Sequence, residues 1–141
     1  MTADGYAGDI SPKDTFEALK ADPKAVLIDV RTVPEWQFVG VPDLATVGKE
    51  VLFVEWQTYP AMQVNGGFVK SVAARGIDKD QPLYLLCRSG VRSRAAAIAL
   101  TAAGYATCYN IATGFEGALD DKAHRGTVGG WKHAGLPWRQ Q

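Results

Sequence analysis

The stretch Pro82-Leu83-Tyr84-Leu85-Leu86-Cys87-Arg88-Ser89-Gly90-Val91-Arg92-Ser93 decides the fold. Its four consecutive apolar residues after Pro82 predict a short strand buried on both faces, the pattern of a parallel sheet covered by helices. The strand runs straight into Cys87. From Ser93 to Ala103 the chain is rich in alanine, with Ile98 and Leu100, and Gly104 stands where a helix would stop. Strand, short polar loop and helix follow one another. Cys87 therefore falls at the carboxyl end of a strand, where open α/β sheets form their ligand crevice.

A helix N-terminus presents unpaired N–H groups and partial positive charge, so it favours a nearby thiolate over the thiol. Arg88 and Arg92 add to that field, and Gly90 permits backbone angles that let a short loop turn its N–H groups onto one anion. Taken alone, a free cysteine at a strand end is as readily a small buried hydrophobe. The two arginines, the glycine and the helix favour a reactive thiol, because the requirements of a stabilised thiolate coincide there.

Working outward, Ala25-Val26-Leu27-Ile28-Asp29-Val30 reads as a second buried strand, with Asp29 and Arg31 placing charge at its carboxyl end. Such charged groups are expected to pair and brace the site, with Glu35 as their companion. Upstream, Ser11 is an N-cap, Pro12 the first helical residue and Asp14 a first-turn acid, and Pro23 ends that helix. Residues 65–74 predict a short helix closed by Arg75-Gly76, and residues 105–111 another strand. Residues 32–65 read as irregular, with Val51-Leu52-Phe53-Val54 as one strand, and a glycine-rich tail follows residue 111. Helices alternating with strands imply right-handed crossovers and a three-layer α/β domain with a parallel central sheet of about five strands.

The bulk numbers suit one globular domain over residues 1–141: 47% of residues are hydrophobic and 21% charged. Fifteen basic residues balance fifteen acidic ones, which gives no global attraction to nucleic acid or an anionic membrane. The first residues show no basic segment followed by an apolar run, and a cytoplasmic location is expected. Two cysteines, Cys87 and Cys108, make no disulfide framework and match no common metal spacing, so neither a metal nor another cofactor is expected.

The cysteine loop resembles that of the rhodanese family, a cysteine plus five residues leading into a helix, here Cys87 to Arg92. The likeness extends to Asp29-Val30-Arg31 with Glu35-Trp36, to Asn110-Ile111-Ala112-Thr113-Gly114, and to Gly135-Leu136-Pro137, so it covers about residues 10–138 in the family's order. Two departures stand out. The family's histidine-isoleucine-proline-glycine-alanine stretch is replaced by Val39-Gly40-Val41-Pro42-Asp43 and a longer run through Asn65, and Thr113 stands for the first glycine of the late pair.

The resemblance implies a three-layer rhodanese-like fold and sulfur transfer by double displacement, in which Cys87 becomes a persulfide. The donor would be a small sulfur anion such as thiosulfate and the acceptor cyanide or a thiol. Arg88 would orient the donor and Arg92 brace the loop. Ser89, Gly90, Val91 and Ser93 would complete the cradle for the terminal sulfur. A sulfur relay that hands persulfide to a protein partner uses the same chemistry. A phosphatase of the related cysteine-loop kind is disfavoured, since only four residues separate Cys87 from Arg92 and Arg94 lies one position too far. Cys108 reads as core rather than a resolving thiol, Trp56 as packing or a pocket wall, and His124 and His133 as surface residues.

Overall fold

A computed structural model describes residues 5–140; residues 1–4, part of the N-terminal stretch read above for a targeting pattern, and Gln141 lie outside the described part. In chain order the elements are β1 (Gly8–Ile10), α1 (Pro12–Ala21), β2 (Val26–Asp29), α2 (Val33–Phe38), β3 (Val41–Pro42), β4 (Leu52–Phe53) and β5 (Gln57–Thr58). Then come β6 (Gln63–Val64), α3 (Phe68–Ala74), β7 (Leu83–Leu86), α4 (Val91–Ala102), β8 (Cys108–Ile111) and β9 (Trp138–Arg139). The central sheet is five-stranded in the order β1-β8-β7-β2-β4, and every pairing in it is parallel. As the run of apolar residues required, β7 sits at its centre with all four residues buried.

Side chains alternate across a strand, so the two faces of β7 feed two cores. Leu83, Leu85 and Cys87 join Ile28, Val30 and Cys108 beneath Phe68 and Val72 of α3 and Ala96, Ala97 and Leu100 of α4. Alanine at 96 and 97 lets α4 lie close to the sheet, and both are wholly buried. Tyr84 and Leu86 face the other way, with Leu27, Ile111, Leu19 of α1, and Phe115 and Trp131 from the tail. The result is the three-layer arrangement. The α1 cap forms as read, with the Asp14 N–H donating to Ser11 Oγ at 3.1 Å.

Three features depart from the sequence reading. Helix α4 begins at Val91 rather than Ser93, because Gly90 at φ 111° serves as its N-cap and turns the chain directly into the helix. The region read as irregular holds α2, whose first turn is tied by the Glu35 carboxylate accepting from the Thr32 N–H (3.1 Å) and hydroxyl (2.9 Å). A Thr-x-x-Glu signal for that helix start stood in the sequence. Strands β1 and β9 had no local signal: each exists through pairing with a distant strand, β1 with β8 and β9 with β3. Among the described residues no helix is long and apolar enough to cross a membrane.

Candidate active site

Cys87 leaves the sheet at the end of β7, and the next residues wrap back over its sulfur. The Gly90 N–H donates to Cys87 Sγ at 3.1 Å. The carbonyls of the loop are drawn the other way: Phe115 N–H donates to the Cys87 carbonyl at 2.8 Å, and Glu116 N–H to that of Arg88 at 3.0 Å. With the Cys87 and Arg88 carbonyls held by the tail, the loop turns the Gly90 N–H to the sulfur, which is the polarity an anionic sulfur needs. Glycine is required at two points. A Cβ at Gly90 would collide with the Ala112 carbonyl oxygen, and one at Gly114 (φ 64°) would lie 2.5 Å from the Cys87 carbonyl oxygen.

Ser93 Oγ lies 3.1 Å from Sγ and 2.5 Å from Asn110 Oδ1. A hydroxyl has one proton and can donate to only one of them. Asn110 Nδ2 donates to Asp9 Oδ1 at 3.0 Å, which also accepts from Tyr6 OH at 2.8 Å, so Asn110 must turn its carbonyl oxygen toward Ser93. This chain ties the nucleophile to β8 and to the edge strand β1. The sequence reading named Asn110 only as part of the family-like segment and gave it no role in the site, although a polar residue near the end of a parallel strand was the same signal that singled out Asp29.

Asp29 and Arg31 pair as expected. Both are fully buried, with Arg31 Nη2 donating to Asp29 Oδ2 at 2.8 Å and to the Gly40 carbonyl at 2.7 Å, and its guanidinium lies 4.3 Å from the Phe115 ring centre. Glu35 is not their companion. It grips Arg92 instead, by two hydrogen bonds of 2.7 and 2.9 Å that bolt the loop to α2. Burial pushes the Glu35 carboxyl up, but the Arg92 hydrogen bond and charge, with the Thr32 contacts, outweigh it and hold the group down at about 2. A depressed carboxylate contributes stability that is present above its unfolded value of about 4.5 and is lost as pH falls toward about 2. Acid titration followed by circular dichroism should therefore show Glu35→Gln losing on the order of 1–2 kcal/mol at neutral pH, after solvent screening, and less below about pH 3.

A cavity of about 570 Å³ opens in front of the sulfur. Of the residues singled out in the sequence, Cys87, Arg88, Ser89, Val91, Arg92 and Glu35 line it. Gly90 and Ser93 contact Sγ and are buried, while Asp29 and Arg31 lie beneath the site and do not reach the cavity. Other walls come from residues the sequence reading did not name as site residues: Val39, Gln57 and Met62 from the stretch that departs from the family pattern, and Glu116 and Arg125 in the tail. The long run through Asn65 thus supplies one side of the pocket. Trp56 does not line it but packs edge-on against Phe68, ring centres 5.1 Å apart.

Cys108 pairs in register with Leu83, four residues before Cys87 on β7. At about 3.3 Å per residue the two cysteines are roughly 13 Å apart along the sheet, too far for the roughly 7 Å limit of a disulfide. Burial also pushes the Cys108 thiol up, against a weaker lowering by Thr101. It is a core residue.

A parallel sheet whose central strand delivers a cysteine into a six-residue loop on a helix N-terminus defines a rhodanese-like domain of the sulfurtransferase type. The comparisons agree. The family model of the STR4 middle domain matches residues 7–141. The crystal structure of Rv0390 from M. tuberculosis shares 48% identity over 96% of this chain and 99% of that one, with a TM-score of 0.88. The polysulfide-sulfur transferase of Wolinella succinogenes is 25% identical over 99% of this chain and 81% of that one, TM-score 0.64. Rhodanese-like domain-containing protein 4 of Arabidopsis thaliana, a chloroplastic protein, is 26% identical over 91% of this chain, which spans a quarter of its length. This chain belongs to the rhodanese family, in its STR4 middle-domain group.

Proposed function

We propose that the protein transfers sulfane sulfur from an anionic donor such as thiosulfate to a thiophilic acceptor, cyanide or a thiol, through a persulfide on Cys87. One observation carries this reading: Cys87 lines an open cavity while its Sγ accepts a loop N–H at 3.1 Å, with Arg88 exposed on the same wall. The Cys87 thiolate attacks the outer sulfur of thiosulfate, the sulfur–sulfur bond breaks, and sulfite leaves with the electron pair. The acceptor then attacks the terminal sulfur, and Cys87 leaves as thiolate. Arg88 draws in and orients the anionic donor, while Ser89, Gly90 and Val91 shape the cradle for the terminal sulfur. Arg92, held by Glu35, fixes the loop, Ser93 steadies Sγ, and the Asp29–Arg31 pair supports the floor. The named activity of the Wolinella relative supports a donor carrying sulfur bonded to sulfur. Two free thiols, Cys87 and Cys108, suit a reducing compartment such as the cytoplasm.

Intact-mass measurement after incubation with thiosulfate tests the reading. A gain of roughly 32 Da, removed by cyanide, is expected of a covalent sulfur intermediate. No adduct from any sulfane donor would overturn it.

Phosphatase chemistry is expected to be negligible. Arg92 is occupied by Glu35, and Arg94 turns away to Tyr6, its Nε 3.3 Å from the phenol oxygen, so neither guanidinium is placed to clamp a phosphoryl group. Turnover of an aryl phosphate that disappears in Cys87→Ser would contradict this.

A further inference from the structure

The tail places an ion triplet on the wall of the Cys87 cavity. The backbone carbonyl of Arg88 accepts from the N–H groups of Glu116 (3.0 Å) and Gly117 (3.2 Å), and the Gly117 carbonyl accepts from Arg125 Nη1 at 2.8 Å. Arg88, Glu116 and Arg125 therefore come from one hydrogen-bonded patch, and all three line the cavity. Their charges are open to a ligand. Among the described residues the side chains of Arg88 and Glu116 make no hydrogen bond or ion pair, and Arg125 uses one of its five donors. Arg92 and Glu35, by contrast, satisfy each other.

The anionic donor accounts for Arg88 and leaves Glu116 and Arg125 without a role. Thiosulfate is a five-atom ion needing on the order of 100–150 Å³ at liquid-like density, far less than the 570 Å³ present. Such an anion offers Glu116 no partner, and a simple cation would meet two guanidinium groups. A molecule bearing one carboxylate and one ammonium matches two positive charges and one negative, and Val39 and Met62 offer apolar surface to its carbon skeleton.

We infer that the acceptor is a zwitterionic thiol, an amino-acid thiol or a short peptide built on one, with its ammonium at Glu116 and its carboxylate at Arg125. This rests on the sulfur-transfer reading above. The acceptor thiol gives its proton to solvent and its sulfur attacks the terminal sulfur of the Cys87 persulfide. The bond to Sγ breaks, Cys87 takes the electron pair as thiolate, and the zwitterion departs as its own persulfide. Glu116 and Arg125 act only on acceptor binding, so they are specificity residues for the second half of the cycle.

The test discharges persulfide-loaded protein with cysteine, cysteamine (no carboxylate) and 3-mercaptopropionate (no ammonium), comparing each variant with the parent on the same thiol so that intrinsic reactivity cancels. Glu116→Gln is expected to lower kcat/KM about tenfold for cysteine and cysteamine, the size of one charge-assisted hydrogen bond, and to leave 3-mercaptopropionate within about twofold. Arg125→Gln should slow cysteine and 3-mercaptopropionate but spare cysteamine. A variant that slows all three thiols alike, or none, overturns the inference. A binding arm needs no persulfide: calorimetry should show S-methylcysteine binding about tenfold tighter than 3-(methylthio)propionate, a preference that Glu116→Gln erases. Equal binding overturns the zwitterion site even if sulfur loads, whereas failure to load with the preference intact overturns only the transfer chemistry.

Discussion

Cys87→Ala should retain the fold and lose sulfur loading entirely, with no mass gain from thiosulfate and no cyanide-dependent turnover. The fold should survive because the change is small and local. Cys87 is 1% exposed at the end of a fully buried strand, and alanine fills most of its volume. What is lost is the acceptor for the Gly90 N–H, a cost of about 1 kcal/mol for one unmade hydrogen bond. Chemistry fails because no other thiol is in reach. Cys108 sits four residues back along the sheet and deep in the core, so Cys108→Ala should load at close to the parent rate. Cys87→Ser sharpens the case: its hydroxyl can still accept from Gly90, yet it cannot carry a persulfide. Loading that persisted in Cys87→Ala would move the nucleophile elsewhere in the molecule.

Asp29→Asn is expected to produce the largest loss of stability. Arg31 is fully buried, and Asp29 is the carboxylate that neutralises it, through bonds from Nε and Nη2 of 2.8–3.2 Å. Removing the negative charge strands a guanidinium in the core, where an unpaired buried charge costs about 3–5 kcal/mol. For a chain of this length that corresponds to a fall in Tm of roughly 10–20 °C, measurable by calorimetry. Arg31 Nη1 already lacks a partner, so the site has no spare acceptor to absorb the loss. Replacing both charges, as in Asp29→Asn with Arg31→Met, should recover part of the deficit, because the penalty lies in the unpaired charge rather than in the missing contact. A loss below about 1 kcal/mol in the single variant would mean that water reaches the guanidinium.

The chemistry of the loop was legible in the sequence because it is local. Apolar runs of four to six residues mark β7 and β2, Gly90 supplies the turn, and a cysteine placed between strand and helix needs no distant partner to define its position. Capping residues marked α1 for the same reason, and Thr32 with Glu35 marked α2 although that signal was passed over. The pairing of Asp29 with Arg31, two residues apart, was likewise within local reach.

Contacts between distant segments were not legible. Glu35 reaches Arg92 across 57 residues, and Asn110 reaches Asp9 across 101, so neither pair leaves a periodic or spacing signal. The same holds for the wall built by Met62, Glu116 and Arg125, which meet only when the hairpin and the tail close over the loop. By itself the sequence determined where the reactive sulfur lies: hydrophobic periodicity and turn geometry act over a few residues and place Cys87 at a strand end before a helix. Only the tertiary structure decided what surrounds that sulfur, because the cavity's charges and apolar walls come from segments brought together by burial of the two sheet faces.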